Sequence, residues 1–395
     1  VKKLKPLLFH TFLKGNDMSF AKQRRAANNP VSPDPANPPR FEPLPPFVGT
    51  STSLTLSLET IMPGINTAVQ NYGQIVFHAL GDTGGIHGTE TQDAIAEAME
   101  GQITNAADSD KPKFFYHLGD VVYFNGQSEN YVTQFYEPYQ YYNAPIFAIP
   151  GNHDGDTHLR NPSDQPDNEP SLYGFMQNFC SSSQGQSFKH RSPMTQPYCY
   201  WKLEAPFVHV IGLYSNIDGQ LDSSGTQQQQ DWLIERLKAT PQDKWLIIAV
   251  HHPCYSLDTA HGGYGDTLEK LDSAFNAAGR WPDVVLSGHV HNYQRFERQV
   301  GDTKIHYIVA GAGGYANNLR AMHRLPSGTT FPSSTTEAGV NLAYYEDQLP
   351  GFLRATANAK ELVFDYFTVP FSLPATISGP VDTARVPYNG TLKTA

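Results

Sequence analysis

Cysteine is scarce in this chain: Cys180, Cys199 and Cys254 are the only three among 395 residues. That excludes a disulfide framework, although Cys180 and Cys199 can pair in an oxidising compartment and leave one thiol over. Long apolar runs are absent too. No stretch approaches the roughly 18 consecutive apolar residues that mark a transmembrane helix. Basic residues are outnumbered, 28 Lys and Arg against 38 Asp and Glu for a net charge of −10. This balance argues against a broad basic footprint, and so against nucleic-acid scaffold binding or an anionic membrane. A phosphate-bearing substrate must then be held by local groups or by metal. Internal repeats are missing as well. What is plentiful is core-forming material, 39% hydrophobic and 12% aromatic residues, in a length that suits two average domains or one large one.

The organisation changes along the chain. Lys2, Lys3, Lys5, Lys14, Lys22, Arg24 and Arg25 face a single acid, Asp17, in the first 25 residues, and eight of the seventeen residues from Pro30 to Pro46 are proline. Residues 1–50 therefore read as a basic, then proline-rich N-terminal arm, extended and lying on the surface or linking to the body, with no targeting role expected. Residues 51–395 read as one large domain. From about Gln74, short apolar runs (75–80, 114–118, 145–149, 245–250, 284–286) alternate with stretches of helical periodicity (91–103, 226–237, 267–278). Such alternation indicates an α/β fold of largely buried strands covered by helices. From about Lys304 strands dominate. Gly155 to Pro197 is polar and aperiodic, longer than an ordinary loop, and reads as a functional excursion over one face, with Tyr173, Phe175 and Met176 as candidates for touching a substrate.

The most informative residues stand directly after the apolar runs: Gly81-Asp82-Thr83-Gly84, Gly119-Asp120-Val121-Val122-Tyr123, Gly151-Asn152-His153-Asp154, His251-His252-Pro253 and Gly288-His289-Val290-His291. Ligands of α/β sheets bind beyond the carboxyl ends of strands, so five such exits can converge on one crevice. Two carboxylates, an amide oxygen, a phenol and three imidazoles exceed what a mononuclear zinc site takes and suit two metals. With no cysteine in the set, iron, zinc or manganese is favoured over a soft-metal site. His289 and His291 share a face if that segment is a strand, while a turn would aim them at neighbouring ions. His78 and His117 lie inside apolar runs and read as core histidines with a hydrogen-bonded nitrogen.

In their order, these five blocks resemble the signature of the calcineurin-like metallophosphoesterases, and more closely its purple acid phosphatase branch. Most of that superfamily opens with Asp-x-His, whereas position 84 is Gly here and Tyr123 falls where the branch places a tyrosinate. The runs Leu118 to Phe124 and Val309 to Gly314 are similar to that branch as well. The resemblance implies a four-layer α/β/β/α sandwich of two mixed sheets flanked by helices. It implies that Asp82, Tyr123 and His291 hold a first metal, Fe(III), that Asn152, His251 and His289 hold a second, Fe(II), Zn(II) or Mn(II), and that Asp120 bridges them. His251 rather than His252 is the ligand by this alignment. His153 and His261 are implied as catalytic histidines facing the substrate phosphate or leaving oxygen.

The function implied is that of an acid phosphatase hydrolysing small-molecule phosphate monoesters through a metal-bound hydroxide at a dinuclear Fe(III)-M(II) centre. The alternative within the same fold is a phosphodiesterase acting on nucleotides or lipid head groups, and an inactive binding scaffold would be expected to have lost a ligand, whereas all seven are present. A periplasmic or secreted location is favoured over a cytoplasmic one on the same resemblance, and oligomeric state is not legible.

Overall fold

Buried β-branched and aromatic runs pair into two mixed sheets, which face each other across the core. The computed structural model describes residues 40–47, 53–158, 169–181, 191–258, 260–315, 319, 329–387 and 393–395. Among these, a six-stranded sheet comprises β2 (Gln74–Leu80), β3 (Pro112–His117), β4 (Ile146–Ala148), β13 (Gly351–Asn358), β14 (Glu361–Thr368) and β15 (Ser378–Pro387), in the order β15-β14-β13-β2-β3-β4. A nine-stranded sheet comprises β1 (Thr55–Ser57), β5 (Trp201–Glu204), β6 (Val208–Leu213), β7 (Trp245–Val250), β8 (Val284–Ser287), β9 (Tyr293–Val300), β10 (Thr303–Ala310), β11 (Ser333–Ser334) and β12 (Val340–Glu346), in the order β1-β5-β6-β7-β8-β10-β9-β12-β11.

Each sheet contains a parallel run of strands: β2, β3 and β4 at one side of the first, β6, β7, β8 and β10 in the middle of the second. They are covered on both faces, which is why they read as continuous apolar runs rather than alternating ones. Between the sheets, Trp201 of β5 stacks on Tyr116 of β3 with ring centroids 5.9 Å apart. In chain order the helices among the described residues are α1 (Leu58–Ile61), α2 (Ile65–Tyr72), α3 (Glu90–Thr104), α4 (Asn152–Gly155), α5 (Tyr173–Phe179), α6 (Gln228–Ala239) and α7 (Gly265–Ala278). Outside the sheets α2 packs on β2, α3 on β13, and α6 on β6 and on α7. This is the expected four-layer sandwich. The helices α3, α6 and α7 match the periodic stretches to within two residues, whereas α2 lies before them.

Three readings need amendment. The strands β5 and β6 lie in a region where no strand was expected, and strand-rich structure begins at Tyr293 rather than near Lys304. Within the excursion, α5 turns Phe175 inward, fully buried and stacked on Phe179 at 4.9 Å, and packs Met176 against the core, so that of the three candidates only Tyr173 is exposed. Phe175 is therefore a core residue and not a substrate contact. Residues 159–168 and 182–190 of the excursion lie outside the described residues, as does the arm through residue 39. Cys180 and Cys199 carry free thiols. Residues 40–47 run against the body, where Arg40 pairs with Asp156 at 2.6 Å and its backbone N–H donates to Asp218 Oδ2 at 2.7 Å.

Candidate metal centre

The exits of β2, β3 and β4 meet those of β7 and β8 where the two sheets come together. The loops are laced to one another: Asp82 N donates to Gly119 O at 2.9 Å, Thr83 N to Asp120 O at 3.2 Å and Gly288 N to His251 O at 3.0 Å. Asp82, Asp120 and His289 have φ of 61°, 54° and 66°. Non-glycine residues pay a steric cost in this left-handed region, and such strain concentrates at functional sites where surrounding structure enforces it.

The seven expected ligands form two contiguous groups. In the first, Tyr123 donates its hydroxyl proton to Asp82 Oδ1 at 3.3 Å and lies 3.5 Å from His291 Nε2, which is itself 3.4 Å from Asp82 Oδ1. In the second, His251 Nε2 stands 3.3 Å from Asp120 Oδ2, and His289 Nδ1 is 2.9 Å from Asn152 Oδ1. Donor atoms of Asp120, His251 and His289 lie within 4.8 Å of one another, all in buried residues. Asp82 Oδ2 accepts the His289 N–H at 2.7 Å, joining the groups. Residues 289–291 form a bend between β8 and β9, so of the two arrangements open for His289 and His291 the turn is the one adopted.

The chemistry of this donor set fits cations. Burial pushes the Asp82 carboxyl up to about 8 although His251 opposes it, whereas Asp120, equally buried, is held below its usual range by His251 and His153. Burial draws the His251 imidazole down, but Asp120 and Asp82 outweigh it and hold its pKa up to about 9. Burial, with Asp120 and Asp82, keeps the Tyr123 phenol well above its ordinary value, so ionising it calls for an adjacent cation. His251 Nε2 is buried without a hydrogen bond of acceptable geometry, an arrangement that costs stability unless something occupies the lone pair.

Two histidines were in question. His251 Nδ1 donates to Leu118 O at 2.8 Å, which leaves Nε2 toward Asp120. His252 instead bonds Ser215 Oγ through Nδ1 at 2.7 Å and packs behind His289, with ring centroids 4.4 Å apart. His153 Nδ1 donates to Phe124 O at 2.9 Å, and its ring lies 4.6 Å from that of Tyr123. The His261 ring is 4.6 Å from that of His289, and its Nδ1 faces Asp258 Oδ2 at 3.3 Å.

Several supporting residues escaped sequence reasoning because their partners are backbone groups. Buried Asp154 accepts N–H bonds from Val121, Val122 and Gly151, tying the Asp120 loop to the Asn152 loop. Gln134 clasps Tyr123 from both sides, accepting its N–H at 2.9 Å and donating to its carbonyl at 3.1 Å. Asp258 accepts N–H bonds from Ala260, His261 and Gly262 and so shapes the His261 turn. His117, by contrast, is the core histidine the sequence leads one to expect: it accepts from Gly119 N at 3.1 Å and pairs with Thr83 Oγ1 at 2.8 Å, bracing both carboxylate loops from within the core.

The chain belongs to the calcineurin-like phosphoesterases, a family of phosphoric ester hydrolases whose model matches residues 75–293. Within that family its relatives are purple acid phosphatases, in agreement with the motif resemblance. It is 32% identical over 146 residues to purple acid phosphatase 22 of Arabidopsis thaliana, covering 35% of this chain and 32% of that protein. Thus the chain spans about a third of the length of the first curated relatives it matches. It is 24% identical over 318 residues to tartrate-resistant acid phosphatase type 5 of Mus musculus, covering 73% of this chain and 85% of that one. A purple acid phosphatase from yellow lupin (Lupinus luteus) seeds shares the fold, with a TM-score of 0.56 at 17% identity over 80% of this chain and 54% of that one. No helix among the described residues is long and apolar enough to cross a membrane.

Proposed function

We propose that residues 51–395 form a dinuclear-metal acid phosphatase acting on small phosphate monoesters. Asp82, Tyr123 and His291 would hold one ion, Asn152, His251 and His289 the other, and Asp120, whose carboxylate lies beside His251, would serve both. The observation that carries this reading is the meeting of a phenol, a carboxylate and an imidazole at Tyr123, Asp82 and His291, with separations of 3.3 to 3.5 Å. A phenol in that company is expected to select a strongly acidic ion, Fe(III), with Fe(II), Zn(II) or Mn(II) at the second position. Bound there, the ions would supply Lewis acidity that activates water and neutralises phosphate charge.

The protein's own groups account for the remaining chemistry. His153, its Nδ1 proton given to Phe124 O and its ring 4.6 Å from that of Tyr123, would act on a substrate oxygen. Asp258 likewise engages Nδ1 of His261 and leaves Nε2 for the leaving oxygen. A proton delivered from either histidine in its imidazolium form, which becomes neutral as the departing alkoxide becomes the alcohol, would contribute about 100-fold to 10,000-fold. In an acidic chain the phosphate is drawn by these local groups rather than by the global charge.

Turnover of p-nitrophenyl phosphate against its bis ester, with metal analysis of the same sample, tests the reading. Dominant monoester turnover with two ions per chain supports it. Dominant diester turnover would move the chain to the phosphodiesterase alternative, and an absence of bound metal would overturn the reading altogether.

A further inference from the structure

We propose that Tyr264, at the start of α7, is the positioning residue that holds His289 for the second ion and thereby sets that position's affinity. The inference rests on the ligand assignment above. His289 turns Nδ1 toward Asn152 Oδ1 at 2.9 Å and Nε2 toward the Tyr264 hydroxyl at 2.8 Å. A neutral imidazole that gives one lone pair to a cation keeps its proton on the other nitrogen. If Nδ1 faces the ion beside Asn152, Nε2–H donates to the tyrosine oxygen, and this bond fixes both tautomer and ring plane.

The two imidazoles of this position are built oppositely. His251 presents Nε2 and anchors Nδ1 on the Leu118 carbonyl, a backbone group no substitution removes. His289 presents Nδ1 and anchors Nε2 on a side chain. The anchor is itself held in place: Tyr264 N donates to Pro253 O at 2.8 Å, and the ring packs on His252 with centroids 4.5 Å apart. Gly219, with φ 77°, passes directly under the ring, and a Cβ there would come 3.0 Å from Tyr264 Cε1. Thr267, one turn into α7, donates to the Gly219 carbonyl at 2.8 Å and closes this contact. Tyr264 thus lies on the same loop as His261, so one segment both brings a histidine to the substrate side and braces a ligand from behind.

The test is Zn(II) titration of chelator-stripped protein in competition with a chromophoric chelator, comparing wild type, Tyr264→Phe and His251→Ala. Two affinities are expected in wild type. Tyr264→Phe keeps the packing on Gly219 and His252 but removes the oxygen, and it should weaken one affinity about 10-fold to 100-fold. That affinity should be the one abolished by His251→Ala, with the other unchanged. Equal affinities in wild type and Tyr264→Phe, or equal weakening of both positions, would overturn the inference. A wild type that binds no Zn(II) would instead overturn the ligand assignment beneath it. A second measurement needs no variant: nitrogen-15 histidine spectra of the wild type loaded with cadmium-113 should show His289 coupled to the metal through Nδ1 and protonated at Nε2. Coupling through Nε2 contradicts the proposal.

Discussion

The ring of Tyr123 borders the space that a side chain at position 84 would need: a Cβ on Gly84 would lie 2.8 Å from Tyr123 Cδ2, 2.5 Å from Gln134 Oε1 and 3.0 Å from the carbonyl oxygen of Val121. Position 84 is thus closed to a ligand side chain by the Tyr123 ring together with Gln134 and the Val121 backbone. Gly84→Ala should therefore destabilise the protein by about 1–3 kcal/mol, as overpacking does. Chemical denaturation measures this, and an unchanged midpoint would show that the loop yields more easily than the geometry implies.

Asp120 and His153 meet through the His153 backbone N–H, which donates to Asp120 Oδ1 at 2.9 Å, while the imidazole points elsewhere. Asp120→Ala should consequently lose both ions. His153→Ala should keep near-normal metal content while turnover falls about 100-fold or more. Elemental analysis beside kinetics separates the two, and equal metal loss in both variants would refute the division of roles.

Burial lowers the pKa of His78 to about 3, against an ordinary value of 6.5, and its nitrogens bond Tyr142 and Gln102. Between those values the unfolded chain takes a proton that the native protein refuses. The stability this provides is complete above about pH 6.5 and is lost as the pH falls through the window toward 3. His78→Gln should make the pH slope of unfolding free energy shallower, by up to about 1.4 kcal/mol per pH unit. Parallel slopes in urea titrations at several pH values would contradict this.

Phe175 and Tyr173 divide the excursion helix into an inner and an outer face. Phe175→Ala should cost about 3–5 kcal/mol and alter catalytic efficiency equally for small and bulky esters. Tyr173→Ala should leave stability within about 0.5 kcal/mol. A substrate-dependent effect of Phe175→Ala would restore it as a leaving-group contact.

Much of this architecture was legible because each candidate ligand comes just after a buried strand, where an apolar run ending in Gly-Asp, Gly-Asn-His or Gly-His-x-His stands out. His78 and His117 were legible as core residues for the same reason, each being a polar residue within an apolar run. The strands β5 and β6 were not, since neither runs into a Gly-Asp, Gly-Asn-His or Gly-His-x-His motif at its end, although α6 follows β6. Asp154, Gln134, Asp258 and Tyr264 were equally hidden. Gln134 and Tyr264 meet their partners, 11 and 25 positions away, only through folding, as Asp154 meets Val121 and Val122, whereas Asp258 holds a turn within four residues of itself, a local contact that carries no apolar pattern. The choice between His251 and His252 turns on a similar contact, the Leu118 carbonyl, 133 positions away from His251 in sequence.

The visible absorption spectrum of the oxidised, iron-loaded protein tests the central claim most directly. Tyr123 ligating Fe(III) predicts a phenolate charge-transfer band and a violet to pink colour, bleached in Tyr123→Phe while the fold persists. A colourless wild-type protein that is fully active with two divalent ions, and a Tyr123→Phe variant indistinguishable from it, would contradict the assignment of Tyr123 to the first metal.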